Sequence, residues 1–260
     1  MQENSYDTIK NLLASHNPEE LHRGIELVKK EIARIGSSEA KQLFEMISAI
    51  FYIDTLDHPE LVPILDEAIS LAVGFGKWVV PMLIENLDAG DLKVQLATGQ
   101  ALGRIGADAI QPLIAEYESS SDPDRHTFIL YALGKIKSPA VVQAARLALD
   151  AAQSPDRELR DTATRAIGKF AESIPPSQLS ETLRKEFREK LEINLADSNV
   201  NIRAKALRSL GKLAKYGYLT TGEREKLRVV CMRILGKDES FDWDRAFIVR
   251  KEAEEALLFL

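Results

Sequence analysis

With a single cysteine, Cys231, the chain can form no intrachain disulfide. That thiol sits in the apolar run "LRVVCMRIL", where it reads as a buried structural residue rather than a nucleophile. Histidine is as sparse: His16, His22, His58 and His126 show no metal-ligand spacing with one another or with the cysteine, so no metal is expected. Apolar runs of the roughly 18 to 20 residues that a membrane span needs are missing. The opening "MQENSYDTIK" lacks the basic and apolar regions of a secretory signal. These absences together give the expectation of a cytoplasmic protein. A surplus of cations is missing too. The net charge is −6, which disfavours a general nucleic-acid coat, since affinity for phosphate needs excess Lys and Arg. No G-x-x-x-x-G-K-[ST], G-x-S-x-G, H-E-x-x-H or Cys-x-x-Cys occurs, so neither enzyme nor cofactor is expected.

What is present is repetition. The apolar fraction of 45% suits a folded chain, and Ala, Leu, Glu, Lys and Arg dominate over aromatics, which make up 7%. "ALGRIG" (101–106) returns as "ALGKI" (132–136), "AIGKF" (166–170) and "SLGKL" (209–213). Gly103, Gly134, Gly168 and Gly211 thus mark a period of 31 to 43 residues, within the range of stacked helical hairpins. "AVGFG" supplies a weaker mark at Gly74, "EIARIG" a fainter echo, and "EALLF" extends the register to Leu258. Upstream of three marks, Arg160, Arg203 and Arg250 stand eight residues back, and Ala163, Ala206 and Ala253 five back. Small and apolar residues at −9, −5, −2, −1 and +2 make one helical face. Glycine within a helix costs about 1 kcal/mol relative to alanine, so its recurrence predicts close approach between adjacent repeats.

Start signals precede these helices: Asp122-Pro123, Ser154-Pro155, Ser138-Pro139, Asn17-Pro18 and the poorer cap His58-Pro59. Between the marks lie first helices such as "VVPMLIENL", "VVQAARLAL" and "LRKEFREKLEINL". The stretch "DSNVNIRAKALRSLGKL" (197–213) resembles HEAT repeats, in particular the short HEAT-like type also found in phycobilin lyases. The resemblance is best over 78–211 and weaker over 1–77 and 212–260. It implies one all-α domain over 1–260, a right-handed α-solenoid of about seven antiparallel helix pairs. It also implies that an Asp in the turn and an Arg on the second helix tie neighbouring repeats, places matched by Asp197 and Arg203. His126 and Gln95 depart from the Arg.

In such a stack the second helices line the inner face, and positions −7, −3 and +1 form its exposed stripe. This stripe carries Arg104, Lys135, Lys169 and Lys212 at +1, with Tyr131, Arg165 and Arg208 at −3. Phe75 at +1, and Asp161 and Ala204 at −7, fall on it as well. Two readings apply to these cations. They could complement exposed carbonyls at helix ends, or bind an acidic or phosphorylated protein partner. Nucleic acid is disfavoured. Two long loops add secondary candidates: Tyr216 and Tyr218 in "LAKYGYLTTGE", and Phe241 and Trp243 in "KDESFDWDR". The acids around Trp243 lack the pattern of a calcium loop. The apolar end Leu257, Leu258, Phe259 and Leu260 packs inward or makes an end-to-end contact.

The expectation drawn is a non-enzymatic protein-binding scaffold with a basic groove. The alternatives come from the resemblance alone: a HEAT-like DNA glycosylase, for which Asp161 is the one candidate acid, and a lyase-like chaperone for a tetrapyrrole.

Overall fold

The computed structural model describes residues 2–37, 40–239 and 243–260, the first three by backbone only. All regular structure among them is helical. The chain divides into two compact units, Met1–Glu116 and Tyr117–Leu260. The first holds α1 (Gln2–Leu13), α2 (Pro18–Ile35), α3 (Lys41–Ser48), α4 (Val62–Gly74), α5 (Val80–Glu85) and α6 (Leu92–Ile105). The boundary falls within α7 (Ile110–Ser119). The second unit continues with α8 (Pro123–Leu133), α9 (Ala145–Ala151), α10 (Arg157–Ser173), α11 (Glu181–Asn194), α12 (Val200–Lys215), α13 (Thr221–Ile234) and α14 (Phe247–Leu257). No single helix is long and apolar enough to cross a membrane, and the apolar stretch from Pro59 to Asp88 is bent by 105°.

Within the first unit α4 packs against α2, α3 and α6. In the second, α10 lies between α8 and α12, and α12 between α10 and α14, while α9, α11 and α13 each cover a second helix. Local chemistry sets these helices. Asp122 Oδ1 accepts from the amide of Asp124, Asn17 Oδ1 from Glu19 and Glu20, and Asn199 Oδ1 from Asn201 and Ile202. His58 caps nothing with its side chain. The start of α10 differs from expectation: Asp156, not Ser154, is the cap, and its Oδ1 accepts from Leu159 at 2.8 Å. Ser154 sits two residues earlier and braces the turn by accepting from the Asp156 amide. The buried stripe of α10 is Leu159, Ala163, Ala166, Ile167, Phe170 and Ala171, that of α12 Ile202, Ala206, Leu207, Leu210, Leu213 and Ala214. Each large side chain so buried contributes about 1.5 to 3 kcal/mol.

The recurring glycines act differently from site to site. A Cβ on Gly168 would lie 2.8 Å from Ser209 Cβ and 2.9 Å from its Cα. A Cβ on Gly211 would lie 3.2 Å from Ala256 Cβ. Here the glycine is the contact between α10 and α12, and between α12 and α14. Gly134 instead follows the end of α8, and Gly74 has open space where a Cβ would go.

The arginines form the tie between repeats. Arg160 Nε donates to Asp197 at 2.7 Å, and Arg203 Nε to Asp244 at 2.8 Å. In each case Nη1 also donates to carbonyls of the arginine's own turn, Ser154 for Arg160 and Asp197 for Arg203. Burial would raise the two aspartates' pKa values, but the guanidinium and a backbone amide outweigh it and hold both carboxyls below the usual range. Where Arg is replaced, the bond within the turn survives. His126 Nε2 lies 2.9 Å from the carbonyls of Tyr117 and Ser120, and Gln95 donates to Leu87 O at 2.8 Å. A serine, Ser120 or Ser154, then occupies the aspartate's place in the turn of α8 or α10.

Candidate functional site

The cations expected on one stripe fall into paired and unpaired sets. In the first unit Arg104 is exposed and bonds back to α4, to Asp66 and to Ser70 Oγ at 2.8 Å. The others lie in the second unit. Arg208 pairs with Glu252, which is only 2% exposed, through both carboxylate oxygens. The hydrogen bonds to Glu252 raise the pKa of Arg208. Lys169 and Lys212 converge on Glu172 at 3.0 and 2.7 Å, joined there by Lys137 at 3.0 Å. Burial works against ionisation of Glu172, yet the three ammonium groups bring its pKa down to about 2. Burial in turn lowers Lys212, against the pull of Glu172.

Lys135 and Arg165 stand apart. Neither has a carboxylate within 4.0 Å among the described residues, and Arg165 makes no hydrogen bond there. Lys135 follows the end of α8 and lies 5.0 Å from the centroid of the Tyr131 ring. Burial lowers its pKa first, and the charges of Arg165, Lys169 and Lys137 lower it further. The two cations, with the Glu172-paired Lys169, line a narrow cleft between α8 and α10 whose apolar side is Leu130, Tyr131, Gly134 and Ala166. Beside α12 and α14 a second cavity of about 250 Å³ holds the paired charges of Glu172, Lys212, Arg208 and Glu252.

Three positions read as exposed are buried. Phe75, 2% exposed, packs edge-on against Phe44 and Trp78, at 5.6 and 5.9 Å between centroids. The chain turns there through Gly76, at φ +90°, which folds the ring under α3. Ala204 is part of the core. Asp161 is buried beneath Lys205, which bonds its Oδ2, and its Oδ1 has no hydrogen-bond partner among the described residues. A carboxylate held this way faces the next helix rather than an open groove, so the glycosylase reading loses its candidate acid.

The loop aromatics divide as well. Tyr218, 5% exposed, donates its hydroxyl to Ile174 O and pins the loop after α12 to the end of α10. Burial pushes its pKa up to about 12. Tyr216 is exposed, and Lys215 lies over its ring and over that of Phe259, at 5.6 and 5.1 Å. Trp243 is 54% exposed and carries Arg250 at 4.7 Å over its ring, while Phe241 lies outside the described residues. At the C-terminal end Leu258 is 77% exposed, but Leu257, Phe259 and Leu260 are half-buried. Arg224 fixes that end by donating to Phe259 O at 3.1 Å and to Ala214 O at 2.8 Å.

Sequence reasoning missed the acids that pair the ladder, Asp66, Glu172 and Glu252. It also missed a cluster in the first unit, where His22, Glu26 and Glu67 converge within 4.8 Å. Lys29 supplies the positive charge there, 2.8 Å from Glu26 and 2.7 Å from Glu67. One repeat length separates Lys29 from Glu67, and Arg104 from Asp66, which is the signal that could have found them.

Comparison with known proteins follows the repeats. Residues 80–168 match the family model of HEAT repeats. No curated protein matches the chain. Among solved structures, an engineered protein is similar at 21% identity and a TM-score of 0.52, over 90% of this chain and 95% of its own. A computationally designed armadillo repeat protein for modular peptide recognition is similar at 14% identity and a TM-score of 0.54, over 97% and 98%. A designed armadillo repeat protein in complex with the peptide (KR)4 is similar at 16% identity and a TM-score of 0.50, over 96% and 97%. These likenesses establish the fold.

Proposed function

We propose that this α-solenoid of HEAT-like repeats is a non-enzymatic scaffold that holds an acidic protein or peptide on the face of α8, α10 and α12. The observation that carries the reading is the half-buried pair Lys135 and Arg165, left without carboxylates among the described residues beside a narrow cleft, in a chain whose net charge is −6. Most other cations on the predicted stripe are matched within the fold, which is what helix-end and inter-repeat chemistry alone would produce. An unmatched pair next to an apolar floor is not explained in that way. It costs folding stability through like-charge repulsion, and an anionic partner would remove that cost.

The designed neighbours support a peptide or protein as the class of partner, since one is described as made for peptide recognition and another holds (KR)4. That ligand is basic, and the uncompensated charge of this chain asks for the opposite sign. Tyr131 and Lys135 would meet the partner first, with Arg165 fixing its acidic group. Tyr216 and Trp243 are secondary contacts, being exposed aromatics already stacked under cations. The proposal treats 1–260 as one array of repeats in the cytoplasm.

Partner capture from the source cells, identified by mass spectrometry, tests it. The double variant Lys135→Glu/Arg165→Glu should lose the partner while keeping its helical content. Equal capture by the wild type and by a folded double variant would refute the assignment of this face.

A further inference from the structure

We propose that the Lys135–Arg165 pair is a recognition subsite for a phosphate monoester carried by the partner peptide, and that a carboxylate side chain is the poorer ligand. The inference rests on the reading of this face as the binding surface and narrows what it takes.

Lys135 feels the charges of Arg165, Lys169 and Lys137, while Glu172 pairs with Lys137, Lys169 and Lys212, so these five cations share one paired carboxylate among the described residues. Glu172 contacts Lys137, Lys169 and Lys212 and makes no ion pair with Lys135 or Arg165. The neighbouring pairs Lys205–Asp161 and Arg208–Glu252 are each neutral. A partner carboxylate brings one charge to an opening in which Lys135 and Arg165 have no carboxylate of their own. A phosphate monoester brings about −1.5 to −2 at neutral pH and three acceptor oxygens.

Arg165 makes no hydrogen bond among the described residues, so its fork of N–H donors is open to a tetrahedral oxyanion in bidentate fashion. Lys135 lies 5.0 Å from the centroid of the Tyr131 ring and offers a single point charge beside it. The floor of Leu130, Gly134 and Ala166 keeps water from one side of the cleft, which strengthens charge-assisted bonds formed there. Thr162 lines the same cleft and adds a hydroxyl.

The test uses the full chain and three fluorescein-labelled degenerate peptide pools with identical flanks, centred on phosphoserine, glutamate or serine. Binding is read by fluorescence anisotropy at one ionic strength. The wild type should bind the phosphoserine pool about tenfold more tightly than the glutamate pool, and the serine pool more weakly still. Arg165→Lys, which keeps the charge and removes the fork, should abolish the preference for phosphoserine. Lys185→Ala, at an exposed position of α11, should change nothing. Free inorganic phosphate should compete with the phosphoserine pool. Equal binding of phosphoserine and glutamate pools, both lost in Lys135→Ala/Arg165→Ala, would overturn the phosphate inference and leave the acidic-partner reading standing. Failure of the folded wild type to bind either acidic pool would overturn both.

Discussion

Replacing Gly168 with alanine adds one methyl group at the closest approach between two repeats. Its Cβ would lie inside contact with Ser209 Oγ, 2.8 Å from Ser209 Cβ and 2.9 Å from Ser209 Cα. Carbon atoms in good contact sit about 3.5 to 4.0 Å apart, so α12 must retreat by roughly half an ångström or more. A side-chain rotation cannot relieve the clash, because the Cα is part of it. Overpacking of this kind costs about 1 to 3 kcal/mol. The bond from Ser209 Oγ to Thr164 O, 3.0 Å long and buried, is strained at the same time and adds about 1 kcal/mol. Helix propensity returns about 1 kcal/mol in favour of alanine. The net expectation is a loss of about 1 to 3 kcal/mol. Gly74→Ala is the control, since nothing lies within 4 Å of its Cβ, and propensity alone should leave it neutral or stabilised by up to about 1 kcal/mol. Urea unfolding followed by circular dichroism measures both. A neutral or stabilised Gly168→Ala, or a Gly74→Ala destabilised to the same degree, would refute the close-approach argument.

Glu172 has its pKa lowered from 4.5 to about 2, so its contribution is full above pH 4.5 and is lost as pH falls toward 2. Asp197 and Asp244, also lowered, add losses of the same sign. An acid titration by circular dichroism should therefore show falling stability across that window, and Glu172→Gln should flatten part of it. Tyr218→Phe removes the bond to Ile174 O and should cost about 1 kcal/mol or more in thermal or urea unfolding. Ultraviolet absorbance titration of the wild type should show one tyrosine ionising only near pH 12, absent from the variant. Cys231 is buried, and burial pushes its thiol up to about 11. At pH 8 a disulfide reagent should modify it slowly in native protein and rapidly in denaturant.

Much of the fold was legible because one short pattern recurs. Gly168 and Gly211, 43 residues apart, each mark a real crossing of second helices, and the Arg and Asp near them form ties between repeats. The cation stripe was legible as a set of positions and not as a set of charges. Pairing Arg208 with Glu252, or Lys212 with Glu172, depends on the register between helices from different repeats, which a single helical period does not carry. Phe75 shows the limit from the other side. Its position matches the exposed register, but the turn at Gly76 sends the ring into the Phe44–Trp78 cluster. Tyr218 was unreadable for a similar reason: its hydroxyl partner, Ile174 O, lies 44 residues away.

Site-specific photocrosslinking tests the binding face most directly. A benzophenone amino acid is placed at Tyr131 in one protein, and at exposed Val229 on α13 in another, and both are irradiated in cells. Tyr131 should capture a partner through a segment rich in acidic or phosphorylated residues, and Val229 should not. Capture from Val229 alone, or from Tyr131 through a segment without negative charge, would contradict it.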